Sequence, residues 1–333
     1  MKKYMFPVFL FLLSSFIFSC SNQATSFGLP STQQSFGQLI TYNNKVDILF
    51  MVDNSKSMTQ YQQRLSAKIP EMINTLNSLK MDYHVAVTSS TMTTNLATYP
   101  MSRQLLGSPK YLTRDNVDLL SGRLLVGEAG SDLNRGLDAI AFVTGPYAAN
   151  FAAGYLRTDA LFVVVMLGDE DDRSSEFGTA DSNDFVNYMN KLKPPFADGS
   201  RAWIANLIGT TQTQTCDNLG GYLAIGVNYL RLVTASNGIK ETICSGDLSL
   251  AVSNIKARII DQLTRFKLKS APVKASIRVT ISGRAISEGI SDGWTLENEV
   301  VNSRTNYFIQ FHGVAIPAAD ESVNVDFTPA GAT

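Results

Sequence analysis

Charge is scarce in this sequence of 333 residues. Asp, Glu, Lys and Arg together make up 17%, and the formal net charge is −1. Soluble domains average about 25% charged residues. A near-neutral balance gives no electrostatic footprint for nucleic acid. Histidine is scarcer still: with only His84 and His312, a histidine-dependent triad has few candidates, and His84 falls on a strand pattern that suits a core or edge residue. No Gly-x-x-x-x-Gly-Lys-[Ser/Thr] loop occurs, so the signature of P-loop enzymes is missing. The expectation is a protein that is not an enzyme. Cysteine numbers three, without a Cys-x-x-Cys, which argues against a metal–thiolate site. Beyond the N-terminus no apolar run approaches the roughly 20 residues that a membrane helix needs. Hydrophobic residues nonetheless make up 44%, ample for a substantial core.

The N-terminus carries the first positive signal. Lys2 and Lys3 precede an almost wholly apolar stretch, Tyr4 to Phe18, too short to span a bilayer and suited to a secretory signal over residues 1–19. Ile17-Phe18-Ser19-Cys20 resembles the lipobox of bacterial lipoproteins. That resemblance implies an acylated Cys20 as the first mature residue. Position 21 is Ser rather than Asp, which by resemblance to enteric lipoproteins implies the outer membrane, facing either the cell surface or the periplasm. An ordinary signal peptide with an incidental cysteine is the plainer alternative. Residues 20–44 are rich in Ser, Gln, Thr and Asn and read as the lipidated Cys and a flexible tether. In an exported chain the remaining pair, Cys216 and Cys244, is expected to form one disulfide.

From Val46 apolar runs alternate with helical periodicity. Val46–Val52, Tyr83–Val87, Ala160–Leu167 and Ala202–Ile208 read as strands. Thr59–Leu79, Asp132–Val143, Ser182–Leu192, Tyr222–Ala235 and Asp247–Phe266 read as helices, the first kinked or divided at Pro70. This alternation predicts a doubly wound α/β fold over residues 45–266, a mostly parallel sheet with helices on both faces. After Phe266 the pattern alternates with period two, over Ala275–Ser282, Tyr307–Phe311 and Val323–Phe327, punctuated by glycine. Residues 267–333 therefore read as a small antiparallel β module.

Asp53-Asn54-Ser55-Lys56-Ser57 directly follows the first apolar strand, at the carboxyl end where open α/β sheets hold ligands. One carboxylate and two hydroxyls on one turn are hard oxygen donors, suited to Mg²⁺, Mn²⁺ or Ca²⁺. Gly130-Ser131 is expected to open the second helix, and Asp169 ends another strand. Three distant stretches thus have oxygen donors at matching places. Helix capping is the plainer role for Ser55 and Ser57, and it is compatible with coordination at Ser131. Asp171, Asp172 and Glu128 read as solvated acids.

At these residues the chain resembles the von Willebrand factor A (integrin I-domain-like) family. The family's metal-ion-dependent adhesion site combines Asp-x-Ser-x-Ser with a Thr or Ser and an Asp from two later loops. The resemblance spans about residues 45–265. It implies Asp53, Ser55, Ser57, Ser131 and Asp169 as metal ligands, with Ser at 131 for the usual Thr and Glu170 where Gly is common. Leu167 to Ser174, Cys216, the Gly220-Gly221-Tyr222-Leu223 region and Ile243-Cys244 also resemble a subset of these domains in bacterial lipoproteins. The resemblance further implies adhesion to a protein whose carboxylate fills an open metal position, linked to movement of helix Asp247–Phe266. A structural subunit of an envelope assembly is the alternative. A Mg²⁺-dependent phosphatase acting through Asp53 is a minor one, because Ser55 stands where a second carboxylate would do acid–base work.

Overall fold

In the computed structural model the described residues are 38–40, 44–175, 182–197, 199–212, 216, 225–301, 303–318 and 320–331. The expected signal (1–19), Cys20 and most of the tether lie outside them, as does the Gly220–Leu223 region.

Five parallel strands form the central sheet. After a short first strand, β1 (Gln38–Ile40), come β2 (Lys45–Val52), β3 (Asp82–Ser89), β4 (Leu161–Gly168), β5 (Trp203–Gly209) and β6 (Lys240–Thr242), and the sheet runs β3-β2-β4-β5-β6. β4 and β5 are buried along their whole length, so their near-continuous apolar sequence is what two covered faces require. The short edge strand β6 has no counterpart among the expected strands, because Lys-Glu-Thr carries no apolar signal.

Helices α1 (Thr59–Ser78), α2 (Leu120–Arg123) and α7 (Ser249–Leu263) cover one face. On the opposite face lie α3 (Gly136–Thr144), α4 (Pro146–Phe151), α5 (Ser182–Leu192) and α6 (Val227–Ser236). The chain leaves β2 for α1 and leaves β4 for α5, on opposite faces, although β2 and β4 are neighbours. Their carboxyl ends therefore flank a topological switch point, where the diverging connections open a crevice.

Two helix expectations change. α1 runs unbroken through Pro70. Proline removes the N–H that would have bonded the Ser66 carbonyl, and the Ser121 hydroxyl donates to that oxygen instead, at 3.2 Å. The second expected helix starts at Gly136 rather than Asp132. Asn134 and Arg135 are drawn into loop contacts, with Asn134 O accepting from Arg173 N and Arg135 N donating to Ser90 O. Leu133 is exposed as a result, off the stripe that Leu137 and Ile140 form.

The C-terminal segment makes two antiparallel sheets. One is β1-β12-β8-β9, using β8 (Arg278–Ile281), β9 (Arg284–Ile286) and β12 (Val323–Asp326). The other is β10-β11-β7, using β7 (Arg265–Lys267), β10 (Gly293–Val301) and β11 (Arg304–His312). A third apolar cluster, including Phe266, Val279, Trp294, Phe311 and Val325, joins them. Gln38–Ile40 belongs to the expected tether but pairs with Val323–Val325 as an edge strand. β7 follows α7 almost at once, and the Thr264 carbonyl between them accepts from Phe311 N.

Cys216 and Cys244 form a disulfide. It links the segment after β5 to the segment before α7. Replacing both cysteines with serine is expected to lower unfolding free energy by about 3–4 kcal/mol, on the loop-entropy account. Urea unfolding under non-reducing conditions measures this, and an unchanged midpoint would contradict it.

Candidate metal centre

Three neighbouring strand ends build the site. Asp53 follows β2, Ser90 and Thr91 follow β3, and Asp169 follows β4. Asp53 is nearly fully buried. Its backbone N–H donates to Leu167 O at 2.8 Å, tying the β2 end to the β4 end. Its Oδ1 accepts from Ser55 N at 2.8 Å and from Ser90 Oγ at 3.3 Å, and Oδ2 accepts from Asn134 Nδ2 at 2.7 Å. Burial is the main force on this carboxyl. Together with the neighbouring Asp169 and Glu170 charges it raises the pKa to about 7, against the Ser55 bonds.

Ser57 closes the gap to the third loop: its Oγ donates to Asp169 Oδ2 at 2.7 Å. Ser57 holds φ at +91°, a region that costs an L-residue on the order of 1–3 kcal/mol. Such strain persists only where the surroundings enforce it. Asp169 is itself buried, and its other oxygen, Oδ1, has no hydrogen-bond partner among the described residues. Burial raises its pKa, opposed by the Ser57 bond and reinforced by Glu170. The Tyr61 hydroxyl on α1 is likewise buried and unpartnered, and Asp169 contributes to raising its pKa after burial.

Ser131 stands one step further out. Its N–H donates to Thr91 Oγ1 at 3.0 Å, and Thr91 donates in turn to Asn54 Oδ1 at 2.8 Å. Its hydroxyl accepts from Leu133 N at 3.2 Å. Among the described residues no hydrogen bond joins that hydroxyl to Asp53 or Asp169. Gly130 explains the close approach of this loop: a Cβ there would lie 2.4 Å from the Asn54 carbonyl oxygen. The structure thus brings together two hydrogen-bonded pairs, Ser55 with Asp53 and Ser57 with Asp169, on strand ends tied by the Asp53 N to Leu167 O bond, and sets Ser131 beside Asn54 through Thr91.

Of the three acids expected to be solvated, Glu128 is exposed, Asp171 is half-buried and Asp172 is buried, and each bonds the start of a helix. Asp172 is buried, and its Oδ1 accepts from Leu137 N at 3.0 Å in the first turn of α3. Burial pushes its pKa to about 6, against the Leu137 and Ser174 bonds. Asp171 Oδ1 accepts from Asn228 N at 2.9 Å at the start of α6. Glu128 Oε1 accepts from Thr59 N at 3.0 Å at the start of α1. Carboxylates satisfy the free N–H groups and complement the dipole at such helix ends. The loop after β4 therefore anchors α3 and α6 while presenting Asp169.

Ser90, Asn134 and Gln62 join the site without a motif to announce them. Gln62 Nε2 donates to Asp53 O and Gly127 O, each at 2.9 Å, which holds the loop preceding Gly130. Strand-end position marks Ser90. Nothing local marks Asn134, which reaches Asp53 because the second helix starts late.

The donor set suits a hard divalent cation: carboxylate and hydroxyl oxygens, with no thiolate or imidazole among them. A buried, unpartnered carboxylate oxygen beside a second buried carboxyl is what a bound cation would satisfy. No group of three or more His, Cys, Asp or Glu side chains is placed to hold a metal among the described residues. Any metal here would thus be held by two carboxylates together with hydroxyls.

No family model and no curated protein matches the chain. Solved structures with a similar chain course include proximal thread matrix protein 1 from the mussel byssus, at 14% identity and TM-score 0.40, covering 69% of this chain and 50% of that one. The pilus adhesin SpaC from Lactobacillus rhamnosus GG, in its open conformation, shows 9% identity and TM-score 0.43, with 85% and 38% covered. The pilus adhesin RrgA from Streptococcus pneumoniae shows 7% identity and TM-score 0.34, with 85% and 56% covered. The chain spans between 38% and 56% of these three neighbours' lengths.

Proposed function

We propose that this chain is a von Willebrand factor A-type lipoprotein, anchored outside the cytoplasm through Cys20, that binds a protein partner through a divalent cation. The observation that carries the reading is the buried pair Asp53 and Asp169 on adjacent strand ends, with Asp169 Oδ1 unpartnered and Ser57 bridging the two loops. Asp53, Ser55, Ser57 and Asp169 would hold Mg²⁺, Mn²⁺ or Ca²⁺, with Ser131 on the adjoining loop. When bound, the cation supplies positive charge and an open position for a partner's carboxylate.

The remaining work falls to the protein. Ser90 and Asn134 orient Asp53 by hydrogen bonding both of its oxygens. Ser57 fixes Asp169. Two carboxylates formally balance a divalent cation, so a partner's carboxylate would be held by direct coordination at the open position rather than by a net charge of the site. No helix among the described residues is long and apolar enough to cross a membrane, and in this reading the anchor is lipid rather than a spanning helix.

The test is affinity capture from envelope extract, with Mg²⁺ against EDTA. A partner is expected in the Mg²⁺ eluate, lost with EDTA and lost with Asp53→Ala. Capture that ignores both the chelator and the substitution would overturn the reading.

A further inference from the structure

A second concave site lies away from the strand ends, where the α/β part meets the β10-β11-β7 sheet. It is a cavity of about 620 Å³, within the usual range for small-ligand sites. Its lining carries five cations, Arg201, Arg258, Arg265, Lys267 and Arg304, and a single carboxylate, Glu299. This concentration stands out in a chain with few charges and a net charge of −1.

The cations come from separate elements. Arg201 precedes β5, Arg258 sits on α7, Arg265 and Lys267 on β7, and Arg304 opens β11. Arg258 is oriented by Asp261 at 2.8 Å, by the Asn237 carbonyl at 2.8 Å and by Gln262 at 3.1 Å. Its guanidinium is held below its ordinary pKa, first by burial; Arg265 and Arg201 act in the same direction, against Asp261. Arg265 stacks over Phe308 at 3.8 Å and pairs with Glu299 at 3.0 Å. Its Nε is buried without a hydrogen bond, 3.5 Å from the nearest Glu297 oxygen. Arg201 and Arg304 are both exposed, and neither has a carboxylate within ion-pair distance among the described residues. Like charges from three walls thus converge with incomplete neutralisation. The local ion pairs offset part of this repulsion, and an incoming polyanion would relieve the rest.

We propose that this cavity binds a small ligand carrying two adjacent phosphoryl groups. One carboxylate ligand would offset only one of the surplus charges. Guanidinium forks match phosphoryl oxygens two at a time, and cations contributed by several separate elements suit two such groups rather than one. The same chemistry occurs in soluble diphosphate esters and in diphosphoryl lipid headgroups.

The test is calorimetric titration of the full chain with inorganic pyrophosphate, in EDTA to silence the strand-end site and at constant ionic strength. One saturable site is expected, with orthophosphate weaker. The double substitution Arg201→Ala/Arg304→Ala is expected to weaken binding by about tenfold or more. Arg304 is exposed, so Arg304→Ala alone leaves the melting temperature without ligand at the wild-type value while weakening binding, whereas Arg201 also stacks over Trp203 at 5.5 Å. Glu299→Gln is expected to tighten binding by removing the sole opposing charge of the lining. Absence of saturable heat, or equal affinity in the double variant, would overturn the proposal. Co-sedimentation with phosphatidylcholine vesicles containing a diphosphoryl lipid, competed by pyrophosphate, would assign the lipid source. Pyrophosphate binding without co-sedimentation would assign a soluble ligand.

Discussion

Mg²⁺ or Mn²⁺ added to chelator-treated protein at pH ~8 is expected to raise its melting temperature by about 5 °C, and Asp169→Asn to abolish the gain. The magnitude follows from mass action: a ligand at about 100 times its Kd stabilises by about 2.7 kcal/mol. The substitution separates this from nonspecific ion effects. Without metal, Asp53 and Asp169 are both buried carboxyls raised above their ordinary values. Asparagine removes the charge and the mutual repulsion, so Asp169→Asn is expected to match or exceed wild-type stability in EDTA while gaining nothing from metal. A structural aspartate would show the reverse pattern.

The pH dependence has a definite sign. Asp53 titrates from 3.8 in the unfolded chain to about 7 in the fold. Between those values the folded chain binds the extra proton, so metal-free stability falls as pH rises through the window, by up to about 1.4 kcal/mol per pH unit from this group. Cation and proton compete for the same carboxylate. The metal-induced gain in melting temperature should therefore shrink as pH falls from about 8 towards 5. Differential scanning fluorimetry across that range measures both slopes, and a gain that does not change with pH would exclude Asp53 as a ligand.

Asp47→Ala is expected to have a large effect at the opposite pole of the sheet. Asp47 is fully buried at the amino end of β2. It accepts from Arg157 N at 2.6 Å and from Arg157 Nε at 2.9 Å. His84 Nδ1 lies 3.7 Å away, itself bonded to the Tyr155 carbonyl. Lys193, almost completely buried nearby, donates to the carbonyls of Arg157, Thr158 and Ala160. Removing the carboxylate strands the Arg157 N–H and leaves its guanidinium paired only with half-exposed Asp82, at 2.7 Å, a loss of buried hydrogen bonds that costs about 1–3 kcal/mol. Denaturant unfolding checks this, and a loss below about 1 kcal/mol would mean that Arg157 finds water instead. Asp47 lies six residues before Asp53, about 20 Å along a strand. The variant, though destabilised, should therefore keep its metal-induced gain. Asp169→Asn and Asp47→Ala thus have opposite signatures, one losing the gain and keeping stability, the other losing stability and keeping the gain.

Local sequence carried the strands with the heaviest apolar runs, because burial on both faces leaves no room for polar residues. It carried the Asp53–Ser57 turn for the same reason: hydroxyls and a carboxylate directly after such a strand are out of place unless they serve a site or a cap. It misplaced the start of the second helix, where Leu133 continued the periodicity but Asn134 and Arg135 found loop partners in Arg173 and Ser90. It marked Asp171 and Asp172 as solvated charges, since a run of acids looks the same whether it faces water or helix N-termini. The helix was not divided at Pro70, where a serine from another helix satisfied the freed carbonyl.

The order of apolar and polar residues along the chain is enough to put β2 and β4 inside a parallel sheet and to set oxygen donors at their carboxyl ends, since both are local properties. Chain closure in three dimensions settled the rest. It made those two strands neighbours with diverging connections. It brought Ser57 to Asp169 while leaving Asp169 Oδ1 without a partner among the described residues, and it gathered five scattered cations around one cavity. Pairing between strands from distant parts of the chain depends on how every intervening element packs, and no window of sequence records that.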